Sequence, residues 1–415
     1  MKSCKKLAAL AAVLALLLTG CSAERVPDDV WLGLMEQEII RRDGVLPGPK
    51  PVLENTSEPE TLPAETVPAE TEPVTEAPVM TETRPETSTE APGSADVYTQ
   101  LVSELENFNN TITVTGKSVG DAIDPAYNRI AWERPDLFWV AGYSSSYLPT
   151  QGTVNITTID DLSADQLSVM YNELMNKAKD IAAQAQAYPT DYEKILFVHD
   201  YIIDHAQYDF QGMASDDYGL WQTAYGVLVQ GNAVCEGYAD GFQLVMQQLG
   251  IPCGVCSGNT EEGPHAWNWV SLNGTYYWID VTWDDPSSED SDEECLSHKY
   301  FLFDDELLSR SRTIDDEGYF IPTCSTLTDN YYIRNNSYLD RYTFEEIDGR
   351  LTLASGKDQS IEVMFRTAED FQAAMTDLID NERIWDAAVF KGGGGSYVYS
   401  YDDKMYTLML VYTLY

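Results

Sequence analysis

The feature that most constrains the fold is the pair Asn273-Gly274, which lies between two eight-residue runs rich in aromatic and β-branched residues. Both central residues of a type I′ turn need positive φ, so the pair predicts a two-residue hairpin loop. Side chains alternate along a strand, and this loop makes His265 and Asp280 diagonal neighbours on one face. Such neighbours have Cα atoms roughly 7–8 Å apart, within reach of an imidazole–carboxylate hydrogen bond. The hairpin therefore predicts a His–Asp dyad.

A helix is predicted to begin near Cys235, thirty residues before His265. Four apolar residues follow it at helical spacing: Phe242, Val245, Met246 and Leu249. Gly250 and then Pro252 end the pattern. A thiol at a helix N-terminus lies at the positive end of the macrodipole, which favours the thiolate. A nearby imidazole would take the thiol proton, and a carboxylate would orient that imidazole.

Three strings around these residues resemble the transglutaminase-like superfamily: Ala233-Val-Cys-Glu-Gly-Tyr-Ala-Asp-Gly-Phe242, His265-Ala-Trp-Asn268 and Trp278-Ile-Asp-Val-Thr-Trp-Asp-Asp-Pro286. In that superfamily a Cys, a His and an Asp follow in this order on a papain-like core. The resemblance is strong over about 190–303 and weaker on both flanks. It implies that Cys235 is the nucleophile, that His265 is the general base and then acid, and that Asp280 orients the imidazole.

The resemblance also implies thiol acyl transfer, and we expect neither a cofactor nor a metal ion. Cys235 would attack a peptide or glutamine amide and form a thioester, which water hydrolyses or an amine converts into a cross-link. The expected enzyme is a transglutaminase-like cysteine peptidase or protein-glutamine acyltransferase, with hydrolysis favoured. Backbone N–H groups at the helix start would stabilise the oxyanion. The alternative is a catalytically silent surface module that binds a peptide or glycan in the same cleft.

The N-terminus indicates export. Three lysines (Lys2, Lys5, Lys6) precede an apolar run over 7–18. The four residues Leu18-Thr-Gly-Cys21 stand at the end of this run. A basic region followed by a short apolar stretch is typical of a secretory signal, and the run is too short to span a membrane. The last four residues resemble a bacterial lipobox, which implies that Cys21 is lipidated and becomes the mature N-terminus. We expect an extracytoplasmic protein attached to a bacterial membrane through acyl chains alone.

A stalk is predicted over 51–95, after a signal peptide at 1–21 and an N-terminal segment at 22–50. Between Pro51 and Ser94 lie eight Pro, nine Thr and ten Glu but no aromatic residue. Such a composition has too little apolar surface to form a core, and its charge and proline keep it extended. At about 3.1 Å per residue it could reach ~140 Å. The segment before it carries the apolar spacing of a short amphipathic helix over 30–39.

The rest of the chain predicts an α+β fold in three parts. These are an N-terminal α/β subdomain (96–188), a papain-like transglutaminase core whose Cys helix packs on an antiparallel β-sheet (189–325), and a C-terminal α+β subdomain (326–415). Expected strands lie at 112–116, 137–142, 153–157, 251–257, 361–365, 397–401 and 405–412. Capping boxes at Ser163 and Thr190 predict helix starts, and Thr367 is expected to cap a helix to about Glu382.

The charge balance restricts the partners. The formal net charge is −43, from 68 acidic and 25 basic residues. A surface this acidic argues against nucleic acid and against electrostatic adhesion to anionic lipids. We expect a monomer that acts on a peptide or protein substrate, including cell-wall peptide.

Two further cysteine patterns allow other chemistry. Cys253 and Cys256, with Cys295 and His298, have zinc-like spacing. However, residues three apart on an extended strand point to opposite faces about 10 Å apart, which disfavours both a shared metal and a disulfide. Cys295 and Cys324 could form a disulfide, and the alternative is that both are free thiols.

Other polar and aromatic residues near the dyad allow two interpretations each. An acidic run over 284–294 could bind calcium, but it lacks EF-hand spacing and is expected to be a solvated loop. Three tryptophans on the dyad's face (Trp267, Trp269, Trp278) either line the cleft or belong to the core. His199 and His205 have no partner motif and are interpreted as structural.

Overall fold

The computed structural model describes residues 94–214, 218–285, 296–315, 319–355 and 359–415, and the backbone of 38–42. Its helices are α1 (Ser94–Leu105), α2 (Val119–Glu133), α3 (Ala164–Ala185), α4 (Asp191–His205), α5 (Phe210–Met213), α6 (Cys235–Leu249), α7 (Asp305–Leu308), α8 (Tyr331–Arg334), α9 (Phe344–Ala354) and α10 (Ala368–Ala374). Its strands are β1 (Glu38–Arg42), β2 (Thr111–Thr115), β3 (Val140–Leu148), β4 (Gln151–Thr158), β5 (Gln207–Tyr208), β6 (Asn232–Ala233), β7 (Cys253–Thr260), β8 (Gly263–Leu272), β9 (Thr275–Ile279), β10 (Phe301–Phe303), β11 (Arg312–Ile314), β12 (Tyr338–Leu339), β13 (Ser360–Phe365), β14 (Gly395–Asp402) and β15 (Thr407–Leu414). This mixture of helices and mainly antiparallel strands confirms the α+β class.

An antiparallel sheet in the order β10-β9-β8-β7-β11 lies at the centre of the fold. The β8–β9 hairpin turns at Asn273 (φ 53°) and Gly274 (φ 80°), with Leu272 opposite Thr275, as predicted. Helix α6 packs on this sheet, and Asn268 Nδ2 donates to the Ala239 carbonyl over 3.0 Å. The helix that begins at Cys235 is therefore fixed against the hairpin.

Strand β9 is shorter than the aromatic run predicts. Pairing ends where Asn268 faces Ile279, and residues 281–284 form a turn instead of continuing to Thr282. The Asp280 carboxylate accepts a hydrogen bond from the Trp283 N–H over 3.1 Å. Aspartate side chains that bond to nearby backbone compete with the strand ladder, which explains the early end.

The N-terminal part contains a sheet in the order β2-β4-β3. The strand predicted over 137–142 is misplaced: residues Pro135–Leu137 form a 3₁₀ turn, and β3 begins at Val140. Proline has a fixed φ that suits the first turn of a helix, and this explains the turn. Both predicted capping boxes are present, with reciprocal bonds at Ser163 and Thr190.

The C-terminal part contains a second five-stranded sheet in the order β1-β14-β15-β13-β12. The predicted terminal hairpin pairs Val398 with Val411, and Thr367 caps α10, which continues as a π-helical segment to Asp380. Its buried side chains form a cluster from Leu339 to Tyr412, distinct from the cluster that spans the chain from 97 to 302.

The N-terminal helix prediction is wrong at its C-terminal end. Residues Glu38–Arg42 form strand β1, which pairs with β14. Two adjacent isoleucines, Ile39 and Ile40, favour a strand, and the open edge of the sheet supplies backbone partners. Residues 43–93 consequently join β1 to α1, so the predicted stalk connects two structured elements.

Much of the N-terminal region lies outside the described residues. The signal peptide, Cys21, the rest of the predicted short helix and the stalk to residue 93 belong to this region, so those assignments stay predictions. Among the described residues, no helix combines the length and the apolar character needed to cross a membrane.

Candidate active site

Cys235 is the first residue of α6, and the preceding residue, Val234, has an extended backbone. The thiol is half-buried and packs against the buried cluster of Ala239, Val255 and Ala266. Its position places the sulfur near the unpaired N–H groups of the first helical turn. The structure thus gives Cys235 the helix-start position that the sequence predicts.

His265 lies on β8, and Asp280 lies directly after β9. The Nε2 atom of His265 is 2.7 Å from Oδ2 of Asp280, and both side chains are almost entirely buried. Because Asp280 occupies Nε2, Nδ1 is the imidazole nitrogen left for Cys235, whose side chain also hydrogen-bonds to His265. The predicted dyad is confirmed in its geometry, with His265 between the thiol and the carboxylate.

The charges of His265, Asp280 and Arg312 stabilise one another. Burial lowers the pKa of His265, but the Asp280 charge and the hydrogen bonds to Asp280 and Cys235 outweigh it and raise this pKa to about 9. Burial alone would raise the pKa of Asp280, yet His265 and Arg312 hold it well below its usual range. The dyad is therefore an imidazolium–carboxylate pair at neutral pH.

Arg312 on β11 is a part of the site that the sequence interpretation missed. Its Nη1 hydrogen-bonds to Oδ2 of Asp280, and both side chains are fully buried. Four aromatic rings surround the guanidinium, with centroids 4.1–5.6 Å from Cζ: Trp283, Tyr300, Trp267 and Phe303. Cation–π contacts of this kind stabilise a desolvated guanidinium. Arg312 thus holds the same carboxylate oxygen, Oδ2 of Asp280, that His265 contacts.

Residues 179–282 match the family model described as the transglutaminase-like superfamily. The chain carries a transglutaminase-like domain. The matched range contains Cys235, His265 and Asp280, but it ends before Arg312.

Individual relatives cover limited parts of the chain. Kyphoscoliosis peptidase from Mus musculus is 27% identical over 137 residues, which are 30% of this chain and 20% of that protein. The chain thus spans about a fifth of that relative's length. A solved structure of a TGase is 18% identical, covers 41% of this chain and 50% of its own, and has a TM-score of 0.26. The periplasmic domain of TgpA from Pseudomonas aeruginosa is 15% identical, covers 33% and 56%, and has a TM-score of 0.23.

Tyr208, at the end of β5, lies beside the thiol of the transglutaminase-like domain. Burial and then the charge of Cys235 raise the pKa of Tyr208, while the Cys235 N–H hydrogen-bonds to its hydroxyl oxygen. The hydroxyl donates to the Met213 sulfur over 3.5 Å, and a thioether sulfur is a weak acceptor. No sequence motif marked this residue.

The aromatic residues on the dyad's face divide between core and site. Trp267 and Trp278 are buried together, and Trp278 Nε1 donates to Asp305 over 2.7 Å, so these two belong to the core. Trp267 also stacks on the His265 ring with centroids 5.8 Å apart, and Trp283 stacks on that ring more closely, with centroids 5.0 Å apart and planes 24° apart. It restrains the imidazole plane, whereas Trp269 remains partly exposed at a distance from the dyad.

Asp284 is not part of a solvated loop, contrary to the prediction for 284–294. It is fully buried. Its carboxylate accepts from the Tyr300 N–H at 3.0 Å and faces His199 Nε2 at 3.1 Å. Asp284 therefore contacts His199 and not His265, the histidine of the dyad. Residues 286–294 of that run lie outside the described part.

A second buried polar cluster surrounds His199 on α4. His199 Nδ1 lies 3.0 Å from Asp200 Oδ1, and the same oxygen lies 3.1 Å from His298 Nε2. His298 Nδ1 lies 3.2 Å from Oε2 of Glu362 on β13. His199, interpreted as structural, thus belongs to a connected group of five ionisable residues that also includes Asp284.

The cysteines of the zinc-like pattern are separated. Cys253 packs in the core shared with α6, whereas Cys256 packs on the other face of β7 with Trp267 and Cys324. This opposite orientation is the one expected for residues three apart on a strand. Cys295 lies outside the described residues, and Cys324, with which it could form a disulfide, is buried.

Proposed function

We propose that this protein is a cysteine acyl-transfer enzyme that hydrolyses or cross-links peptide or glutamine amide bonds through Cys235, His265 and Asp280. The observation that carries the proposal is the position of His265, which contacts the thiol with one ring nitrogen and the buried carboxylate with the other. A thiol, an imidazole and an orienting carboxylate in this order form the activated nucleophile of acyl transfer. The peptidase named among the relatives supports hydrolysis as the main outcome.

Each proton transfer of the proposed reaction has a donor and an acceptor in this site. The Cys235 thiolate attacks the carbonyl carbon, and His265 Nδ1 gives its proton to the amine that leaves as the C–N bond breaks. The resulting thioester is attacked by water, whose proton returns to Nδ1, and the acid leaves as the C–S bond breaks. An amine in place of water gives the cross-link. Asp280 keeps its charge throughout and stabilises the imidazolium.

Tyr208, whose hydroxyl oxygen accepts from the Cys235 N–H, is the side-chain oxyanion donor that we propose. Replacing Tyr208 by Phe removes only the hydroxyl and should lower kcat by about 10²–10³, the usual effect of losing one oxyanion donor. Tyr147→Phe is a matched control, because that ring is 60% exposed on β3. Equal kcat values for the Tyr208 and Tyr147 variants would contradict the assignment.

Labelling with iodoacetamide at neutral pH tests the proposed nucleophile. We expect selective modification of Cys235, located by peptide mass mapping, and at least tenfold slower labelling in His265→Ala. Cys253→Ser is the control, since burial raises the pKa of that half-buried thiol well above its usual value and its loss should leave the rate unchanged. Labelling spread evenly over the cysteines, or independent of His265, would contradict an activated thiol.

The binding-module alternative predicts a different result with substrate. Incubating the protein with a peptide library and a primary amine, followed by mass analysis, separates the outcomes. Cleaved peptides indicate hydrolysis, and a mass increase by the amine with loss of ammonia indicates cross-linking. Retention of intact peptides without either product would support binding alone.

We further propose that lipid on Cys21 holds the enzyme at the outer face of a bacterial membrane. Because β1 pairs with β14, the 16 residues 22–37 would set the reach, about 55 Å when fully extended. Membrane fractionation of Cys21→Ser tests this assignment. We expect the variant in the soluble fraction, and its retention with membranes would contradict the lipid anchor.

A further inference from the structure

The cluster around Asp200 has the donor set of a metal site. His199 Nδ1, His298 Nε2 and one Asp200 carboxylate oxygen all lie within 4.8 Å of one another. Two imidazole nitrogens and a carboxylate suit Zn²⁺, which binds such ligands at about 2.0–2.2 Å in tetrahedral geometry. We infer that His199, His298 and Asp200 bind a divalent transition-metal ion, with Zn²⁺ preferred. This inference is independent of the function proposed for Cys235.

The far side of each imidazole supports this assignment. His199 Nε2 faces Asp284 at 3.1 Å, and His298 Nδ1 faces Glu362 at 3.2 Å. When these distal nitrogens carry protons and donate them to the carboxylates, the other nitrogens present lone pairs toward Asp200. Histidine ligands of metals regularly donate their second N–H to a carboxylate in this way, which orients the ring and raises its basicity.

Both supporting carboxylates are themselves held in place. Glu362 accepts from the Tyr332 hydroxyl over 2.6 Å and from the backbone N–H of His298 over 2.9 Å. Asp284 accepts from the Tyr300 N–H and the Ser297 hydroxyl. The ligand side chains His199 and His298 are buried, whereas the Asp200 side chain is 31% exposed. An ion could therefore enter past Asp200 and retain one water as its fourth ligand.

The position of the cluster indicates a structural role. It joins α4, the segment before β10 and strand β13, which connects the transglutaminase-like domain to the C-terminal sheet. Asp284 also lies in the turn that begins at Asp280, whose carbonyl accepts from the Asp284 N–H. A bound ion would tie the two parts together and brace the turn that carries the dyad's carboxylate.

Zinc titration of the purified, chelator-treated full-length chain tests the site. We expect one Zn²⁺ per chain by calorimetry and a higher midpoint of thermal unfolding when Zn²⁺ is present. Cys235→Ser should bind equally well, because the thiol is not a ligand. In the Co²⁺-loaded protein, ligand-field bands should appear without a thiolate-to-cobalt charge-transfer band.

Substitutions within the cluster locate the ion. His298→Gln should weaken Zn²⁺ binding by at least tenfold, and Glu362→Gln should weaken it by about 10–100-fold as the loss of a supporting carboxylate. His205→Gln is the matched control, because His205 is an exposed histidine of the same helix as His199. No saturable binding to the unsubstituted chain, loss of binding in Cys235→Ser, or equal affinity of the His298 and His205 variants would overturn the inference.

Discussion

Asp280 accepts hydrogen bonds from two side chains, His265 and Arg312, in a site where all three are almost excluded from water. The carboxylate therefore orients the imidazole and also neutralises a buried guanidinium. Removing its charge should affect both the chemistry and the stability, because an unpaired buried charge is costly.

Asp280→Asn should lower kcat by orders of magnitude, since an amide permits the wrong imidazole tautomer and does not balance its charge. It should also lower the free energy of unfolding by about 3–5 kcal/mol, because Arg312 loses its partner. Steady-state kinetics and guanidinium unfolding measure the two effects.

Arg366→Ala provides the control for Asp280→Asn. Its ion pair with Asp340 is exposed (61% and 76%), so the loss should be below about 1 kcal/mol. Near-normal turnover in Asp280→Asn would mean that the dyad is misassigned. Asp284 would not explain such a result, because it faces His199.

The protonation of His265 predicts an alkaline limit to activity. Because its pKa is raised to about 9 from an ordinary 6.5, the imidazolium needed to protonate the leaving amine persists to about pH 9. The stability that this protonation contributes is fully present below pH 6.5 and is lost as the pH rises from 6.5 to about 9. The dependence of kcat/KM on pH should fall near 9, and Asp280→Asn should move that limb toward 6.5. A limb unchanged by the substitution would contradict the coupling.

The residues of the site differ in how far sequence reveals them. Cys235, His265 and Asp280 are predictable because a helix start and a hairpin turn give their positions locally. Arg312 is not predictable in this way, because it lies on a three-residue strand whose pairing with β7 is a long-range contact. Tyr208 and the His199 cluster likewise depend on distant elements that meet only in the folded chain.

At the scale of elements, the β8–β9 hairpin provides the direct test of the turn. Gly274 has φ 80°, and a side chain there is strained even though nothing lies within 4 Å of an added Cβ. Gly274→Val should therefore destabilise the protein by about 1–2 kcal/mol in guanidinium unfolding. It should leave Cys235 reactive, because the turn lies at the far end of the hairpin from the dyad.

Gly349→Ala is the matched control for that substitution. Gly349 is an exposed residue within α9, with nothing near an added Cβ, so alanine should stabilise by up to about 1 kcal/mol. If Gly274→Val were as stable as the original chain, the turn would have a different conformation from the one described.

The elements that sequence predicted correctly have strong local signals. Helices α3 and α4 begin at capping boxes, and α6 ends at Gly250 with φ 70°. The boundaries predicted wrongly have tertiary causes: β9 ends early because Asp280 bonds to its own turn, and β1 forms because β14 offers an open edge.

At the scale of the whole molecule, packing joins parts that composition separates. One buried cluster extends from Val97 to Leu302 and so includes both the N-terminal subdomain and the transglutaminase-like domain. Glu362 links this body to the C-terminal sheet through His298. Such contacts arise between residues far apart in sequence, which leaves no local signal for them.

Residues 51–93 should be dispensable for folding and catalysis, because they lack aromatic residues and are rich in proline and glutamate. Deleting half of this segment changes the loop-closure entropy by only about 0.6 kcal/mol. We expect unchanged peptide turnover and a nearly unchanged unfolding midpoint in thermal scans. A large loss of either would show that the segment packs on the body.

Capture of the acyl-enzyme is the decisive experiment for Cys235 as the nucleophile. Acid quenching during turnover of a peptide substrate, followed by peptide mass mapping, detects a thioester on a defined cysteine. The account predicts acylation at Cys235 that accumulates in the unsubstituted chain and falls below detection in His265→Ala. Turnover without any acyl group on Cys235, or acylation at a different residue, would contradict it.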